Sequence, residues 1–188
     1  MREIAAPVVL LLGVAVAGLT VSAYRDGPPE GHTGGFGEPT CQACHFGGEL
    51  NEAAGTLEIR ELPAVFTPGQ TYPLQVVLRR PAMPVGGFEL AARFAPGSAG
   101  AGAQAGKLEA VDDHADVFDA PNGISYAHHT RAGSTAAGDS IVWGLRWTAP
   151  SRSGPVVFHV AGNAGDDDES PLGDFIYTAE RVVEPDSL

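Results

Sequence analysis

Residues 141–150 read Ile-Val-Trp-Gly-Leu-Arg-Trp-Thr-Ala-Pro, and this stretch decides the fold class. Large apolar residues occupy every second position from Ile141 to Trp147, with smaller or polar residues between them. Because successive side chains of a β-strand point to opposite faces of the sheet, this alternation predicts a half-buried strand. We expect Trp143 and Trp147 to share the core-facing side, and Pro150 to mark the end of the strand.

Segments with the same period of two occur on both sides of this stretch. Turn-forming pairs such as Pro68-Gly69 and Asn122-Gly123 separate them, and the acidic segment from Asp112 to Asn122 ends in the second of these turns. Seven or eight short strands with regular turns predict an all-β protein, with an antiparallel β-sandwich over residues 56–185. The predicted strands are Thr56–Arg60, Tyr72–Leu78, Phe88–Ala92, Lys107–Val111, Ile124–Thr130, Ile141–Trp147, Val156–Val160 and Phe175–Val183.

The composition narrows the possible classes of function. A chain of 188 residues is long enough for about one domain, and 25 glycines with 15 prolines suit a turn-rich β-protein. The net charge of -12 argues against binding to nucleic acid and to anionic membranes. No Ser/His/Asp arrangement with supporting motifs and no phosphate-binding loop occurs in the sequence, so an electron carrier or a binding module is favoured over an enzyme.

Residues 1–23 have the pattern of an export signal. Arg2 provides a short positive region, and the segment from Ile4 to Ala23 is apolar or small apart from Thr20 and Ser22. Small residues at Val21 and Ala23 suit a cleavage site after Ala23, but twenty such residues are also long enough to span a bilayer. We therefore expect an exported protein, periplasmic or extracellular, whose N-terminal segment is either removed or kept as a membrane anchor.

Residues 24–55 form a Gly/Pro-rich segment without a sustained period, which predicts an irregular, flexible arm. It contains Cys41-Gln42-Ala43-Cys44-His45, the C-x-x-C-H pattern of covalent c-type haem attachment. In this chemistry each thiol adds to one haem vinyl group to give a thioether, and the adjacent histidine becomes the proximal iron ligand. Cys41, Cys44 and His45 are thus the candidate residues for holding one haem c.

Two other interpretations of the cysteine pair stay open. Cys41 and Cys44 are the only cysteines of the chain, so they could form a local disulfide. They could also form a redox-active or metal-binding thiol pair. A zinc site is the weaker form of this option, because a closed structural site needs four ligands and only His32 and His45 are near in sequence.

Further short motifs resemble those of the reelin-type (Reeler) domain, an immunoglobulin-like β-sandwich. These motifs are Pro68-Gly69-Gln70-Thr71-Tyr72, Gly86-Gly87-Phe88-Glu89-Leu90 and Trp147-Thr148-Ala149-Pro150. More closely, residues 40–183 resemble a bacterial exported group of Reeler-like domains in which a C-x-x-C-H element precedes the sandwich. The additional matches to that group are His129-Thr130 with Gly133, Ala161-Gly162-Asn163 and Gly173-Asp174-Phe175-Ile176-Tyr177.

A six-coordinate haem needs a second axial ligand, and His129 is the first candidate. It occupies the His-Thr position of the pattern that the sequence resembles, and it ends an extended segment that can hold a side chain rigidly. The first alternatives are His128, which alternation places on the other face, and Met83, the only methionine after the N-terminal segment. The remaining candidates are His32, His114 and His159. A methionine ligand would raise the reduction potential relative to a second histidine. A five-coordinate iron, open to small ligands, is the remaining option.

These features lead to two hypotheses of function. The first is an exported monohaem c-type protein for electron transfer or haem-based redox sensing, in which the β-sandwich supplies the distal side of the haem. Its partner would be a redox protein or a membrane redox complex. The alternative is a haem-free extracellular adhesion or ligand-binding β-sandwich, stapled by a Cys41–Cys44 disulfide.

Overall fold

A computed structural model describes residues 24–152 and 154–186. The predicted signal or anchor segment, residues 1–23, lies outside this part of the chain. None of the helices within these two ranges is long and apolar enough to span a membrane.

Two β-sheets pack face to face. The first has the strand order β1-β3-β8-β5 and the second β2-β10-β9-β4-β7-β6. Every pairing is antiparallel except the short parallel contact between β2 and β10. The prediction of an all-β sandwich is confirmed. The strands are β1 (Thr56–Arg60), β2 (Val65–Phe66), β3 (Thr71–Arg79), β4 (Val85–Phe94), β5 (Lys107–Ala110), β6 (Ala115–Asp119), β7 (Ser125–His129), β8 (Ser140–Thr148), β9 (Val156–Gly165) and β10 (Phe175–Pro185).

Strand β8 supplies the centre of the core between the sheets. Its buried and exposed positions alternate, and Trp143 and Trp147 are both fully buried, as their spacing predicts. The Trp143 ring packs against Phe88 of the second sheet, with ring centroids 4.6 Å apart. Both indole N–H groups donate to backbone carbonyls, so neither tryptophan leaves a buried polar atom without a partner.

The structure contains two strands that the sequence pattern did not predict. Strand β2 has only two residues, and β6 lies at an edge of the second sheet inside the acidic segment expected to end in a turn. Only Ala115 of β6 is buried. An edge strand that is mostly solvated carries no alternation of apolar and polar residues, because neither face has to enter a core.

Residues 24–55 contain no β-strand and only one short 3₁₀ turn, Cys41–Ala43. This arm packs on the outer face of the second sheet. As a result, every residue of β4 except Val85 is buried, on the outer face as well as on the core face. The arm is therefore irregular, as predicted, but it is bound to the sheet rather than free.

Candidate functional site

The C-x-x-C-H element begins in the 3₁₀ turn. The Thr40 hydroxyl caps this turn by accepting the N–H of Gln42, and the Cys41 carbonyl accepts the N–H groups of both Cys44 and His45. Side chains three residues apart eclipse one another in a 3₁₀ turn, so the local backbone presents Cys41 and Cys44 on the same side. His45 follows directly, as the attachment chemistry requires.

His45 contacts two side chains, Asp174 in the loop just before β10 and Asn163 of β9. Its Nδ1 lies 2.5 Å from Oδ2 of Asp174 and 3.1 Å from Nδ2 of Asn163. Asn163 Nδ2 also donates to the same carboxylate oxygen, at 3.1 Å. Because Nδ1 is engaged with Asp174, Nε2 is the nitrogen of His45 that remains for a metal.

His129 is oriented in a corresponding way at the end of β7. The backbone ladder between β4 and β7 ends at the Glu89–His128 pair. Beyond it, Nδ1 of His129 lies 3.3 Å from the carbonyl of Phe88 and 3.1 Å from its backbone nitrogen. With the proton on Nδ1, the imidazole donates to this carbonyl in place of the next backbone partner and its Nε2 carries no hydrogen. A β-carbon at Gly87 would clash with this ring, so the glycine provides the space for it. Burial lowers the pKa of His129, while the Phe88 backbone opposes this shift, and a neutral imidazole is the form that binds a metal.

One cleft brings these groups together. It contains about 1110 Å³ of space outside protein atoms, part of it open to solvent. Cys41, Cys44, His45 and His129 all line it, together with residues of β4, the start of the arm and the loop before β10. These four residues come from an arm and a strand end more than 80 positions apart, and only the fold makes them neighbours of one cavity.

The first two alternative ligands lie elsewhere. Met83 is 2% exposed within the hydrophobic core and does not line the cleft. His128 also lies outside the lining of the cleft, and its Nδ1 contacts the carbonyl of His129 at 2.9 Å. Of His129, His128 and Met83, the structure brings only His129 to the cleft of the C-x-x-C-H element. His32, a further candidate, also lines the cleft, and its Nδ1 lies 2.9 Å from the carbonyl of Pro29.

Both cysteines are free thiols in this structure and do not form the disulfide of the alternative hypothesis. Burial raises the pKa of the Cys41 thiol to about 12, with a further contribution from the Glu89 carboxylate. A thiol with this pKa is protonated at neutral pH, unlike the reactive thiolates of thioredoxin-type pairs. In the described part of the chain, no three His, Cys, Asp or Glu side chains lie close enough together to hold a bare metal ion.

The cleft residues fit a c-type haem. The donor set comprises two thiols for thioether bonds and two imidazoles. In the tautomer that donates Nδ1–H to Asp174 or to the Phe88 carbonyl, each imidazole leaves Nε2 for iron. In addition, Oδ1 of Asn163 is buried beside the cleft with no hydrogen-bond partner among the described residues. Haem propionates are acceptors at neutral pH and offer no donor to this oxygen, so the fit rests on the two thiols and the two imidazoles.

Asp174 and Asn163 are the site residues that sequence reasoning missed. Both lie in short motifs quoted for the family resemblance, but nothing in the local sequence connects them with His45. Asp174 is 129 positions away along the chain. The available signal was an asparagine inside an otherwise apolar strand segment and an aspartate directly before another, which indicates polar roles without naming the partner.

Comparisons with known proteins address the fold only. No protein-family model matches the sequence, and no curated protein matches it. Similar solved structures include the human F-spondin reeler domain, with 17% identity over 73% of this chain and 95% of that chain, at a TM-score of 0.45. The Reelin-N domain of F-spondin is 15% identical over 78% of this chain and 96% of that chain, at a TM-score of 0.47. A cohesin module from a Clostridium perfringens family 33 glycoside hydrolase is 13% identical over 71% of this chain and 97% of that chain, at a TM-score of 0.47. Since all these TM-scores are below 0.5, the fold assignment rests on the strand pairing itself.

Proposed function

We propose that this chain is an exported monohaem c-type protein that transfers electrons or senses redox state through a haem held between the arm and the second sheet. The observation that carries the proposal is the single cleft lined by Cys41, Cys44, His45 and His129. A disulfide-stapled binding module does not require Cys41, Cys44 and His45 to share a cavity with a histidine from the end of β7.

Each residue has a separate role in this proposal. The thiols of Cys41 and Cys44 add across the two vinyl groups, and each addition forms one C–S and one C–H bond. His45 and His129 would be the residues that hold the iron, each through Nε2. Bound in this way, haem supplies a one-electron ferric/ferrous couple, and two histidine ligands favour a lower potential than a methionine would. The arm and the second sheet exclude water from the iron and keep both imidazoles oriented.

The location and partner follow from the same proposal. Haem c is attached outside the cytoplasm, which agrees with the export pattern of residues 1–23. The partner would be a redox protein or a membrane redox complex, and the N-terminal segment would anchor the protein if it is retained. The net charge of -12 suits a partner with a basic contact face.

The test is the pyridine haemochrome and the ferric and ferrous visible spectra of the protein, exported from a host with a working haem c attachment system. We expect a covalently retained haem c with a low-spin spectrum in the wild type. Replacing both cysteines (Cys41→Ala with Cys44→Ala) should abolish covalent retention. His129→Ala should keep the haem but change the spectrum to high-spin, because one axial ligand is lost.

A second variant reaches the distal ligand without replacing it. Gly87→Ala places a β-carbon where the His129 ring lies, so it should also produce a high-spin fraction. Gly144→Ala is the matched control, since its β-carbon would meet Val111 at an ordinary 3.5 Å in another strand. A red His129→Ala protein with an unchanged low-spin spectrum would assign the distal ligand to another residue. A colourless wild type would exclude the haem proposal and leave the adhesion or ligand-binding sandwich.

A further inference from the structure

Asp174 is a buried carboxylate that the roles above do not use. It is 4% exposed and lies just before β10, in the loop that closes one side of the cleft. Burying a carboxylate is costly unless it is paired and hydrogen-bonded. Among the described residues, His45 is the only basic group within ion-pair distance of Asp174, and Asn163 provides the other hydrogen bond to the same oxygen.

The surrounding backbone makes room for this contact. A β-carbon at Gly47 would clash with the backbone of Asp174, and one at Gly165 would come within 3.0 Å of its Oδ1. In addition, backbone hydrogen bonds join Phe46 to Pro171 and Gly173 to Phe46, which fixes the segment after His45 against the loop before Asp174. The position of Asp174 against His45 is thus set by the chain on both sides.

We propose that Asp174 is a positioning residue for His45: its carboxylate accepts the Nδ1–H of the imidazole, directs Nε2 into the cleft and makes that nitrogen a more electron-rich ligand. This inference rests on the proposed function. A histidine that donates its second N–H to a carboxylate is a more basic metal ligand, and an anion close to the iron favours the ferric over the ferrous state. Asp174 therefore lowers the reduction potential of the protein.

The neutral variant Asp174→Asn tests this inference, because an asparagine has the same shape and still offers an oxygen to Nδ1. At a fixed solution potential, we expect the ratio of ferrous to ferric protein to be at least tenfold higher in this variant than in the wild type. For a one-electron couple this corresponds to a reduction potential that is about 59 mV higher. The measurement is a spectroelectrochemical titration of the haem-loaded protein. A second measurement compares the ferrous His129→Ala protein with the ferrous double variant that also carries Asp174→Asn. In resonance Raman spectra, the iron–histidine stretching frequency should be lower in the double variant.

Asp168→Asn is the matched control. Asp168 is an exposed residue that lines the same cleft, and its Oδ1 accepts the N–H of Ser170, which an asparagine can also accept. The control removes one negative charge near the cleft without touching His45, so its equilibrium should move much less. Equal shifts in the two variants, or an unchanged iron–histidine frequency, would overturn the positioning role while leaving the haem proposal intact. A wild type without haem overturns both.

Discussion

Glu89 is the side chain whose charge most directly links pH to the stability of the fold. It is 1% exposed in β4, and its carboxylate accepts the backbone N–H of His32 in the arm. Burial raises its pKa from 4.5 to about 7, and the N–H groups of His32 and Gly31 oppose part of this shift. The folded state therefore binds this proton more tightly than the unfolded chain does.

The pH dependence follows from the direction of that shift. The contribution of Glu89 to the free energy of unfolding is fully present below its unfolded pKa of about 4.5, and it is lost as the pH rises through its folded pKa of about 7. Over this window we expect the free energy of unfolding to fall by up to about 3 kcal/mol, and Glu89→Gln to abolish that fall. Urea titrations of both proteins at about pH 5 and about pH 8 measure the difference. Glu58→Gln, in a partly exposed pair with Arg60, is the control and should retain the wild-type slope.

At the scale of single residues, sequence reasoning succeeded where the signal was local. The alternation in residues 141–150 identified both core tryptophans, and the C-x-x-C-H spacing identified Cys41, Cys44 and His45 among the arm residues that line the cleft. It did not identify Asp174 or the contact between Glu89 and His32. Those partners are 129 and 57 positions apart, and no periodicity extends over such distances.

At the scale of elements, the attachment of the arm to the second sheet depends on one buried polar cluster. Glu38 of the arm pairs with Arg93 of β4, accepts the hydroxyl of Tyr126 at 2.6 Å and accepts the hydroxyl of Thr33. Arg93 also donates to Tyr126 at 2.7 Å. Since the side chains of both charged residues are largely buried, each one depends on the other for compensation.

Removal of the Glu38 charge should therefore release the arm. We expect Glu38→Gln to destabilise the protein by about 3 kcal/mol, because Arg93 is left buried without a counter-charge. Amide hydrogen exchange should accelerate in residues 24–55 more than in the strands. The control is Glu109→Gln, which removes an exposed pair with Lys107 and should cost less than about 1 kcal/mol. Unchanged exchange in the arm of the Glu38 variant would show that other contacts hold it.

The elements that the sequence missed share a physical cause. Strand β2 is too short to show a period, and β6 is an edge strand with little buried surface. The docking of the arm was also not predicted, because its glycines and prolines define local turns but not the surface on which they pack. The other eight strands were all predicted from the sequence, six of them from alternation.

At the scale of the whole molecule, the charge of -12 should govern reactions with small redox partners. The reduced haem protein should react with a cationic oxidant such as tris(phenanthroline)cobalt(III) at a rate that falls roughly tenfold between about 20 mM and 500 mM salt. Its reaction with anionic ferricyanide should accelerate over the same range. Stopped-flow absorbance at the haem bands measures both rates.

The acidic loop before β10 allows a local check of this effect. Asp168 and Glu169 are exposed and line the cleft, so Asp168→Asn with Glu169→Gln should weaken the salt dependence of the cationic reaction. If both oxidants respond to salt with the same sign, the surface charge does not direct the encounter. If the double variant behaves as the wild type does, the attraction arises from the molecule as a whole rather than from the mouth of the cleft.

The packing of the arm on the sheet also determines the order in which the protein is made. On the haem proposal, the arm would have to receive the haem where Cys41 and Cys44, both partly exposed, face a cleft whose other wall includes β4, so the finished sandwich would restrict the approach of a maturation enzyme to these thiols. The thioether bonds would then form while residues 24–55 are still detached, and closure of the arm would follow as the last step of biogenesis. A chain that folded too early would exclude its own prosthetic group, and slow closure would be an advantage during assembly.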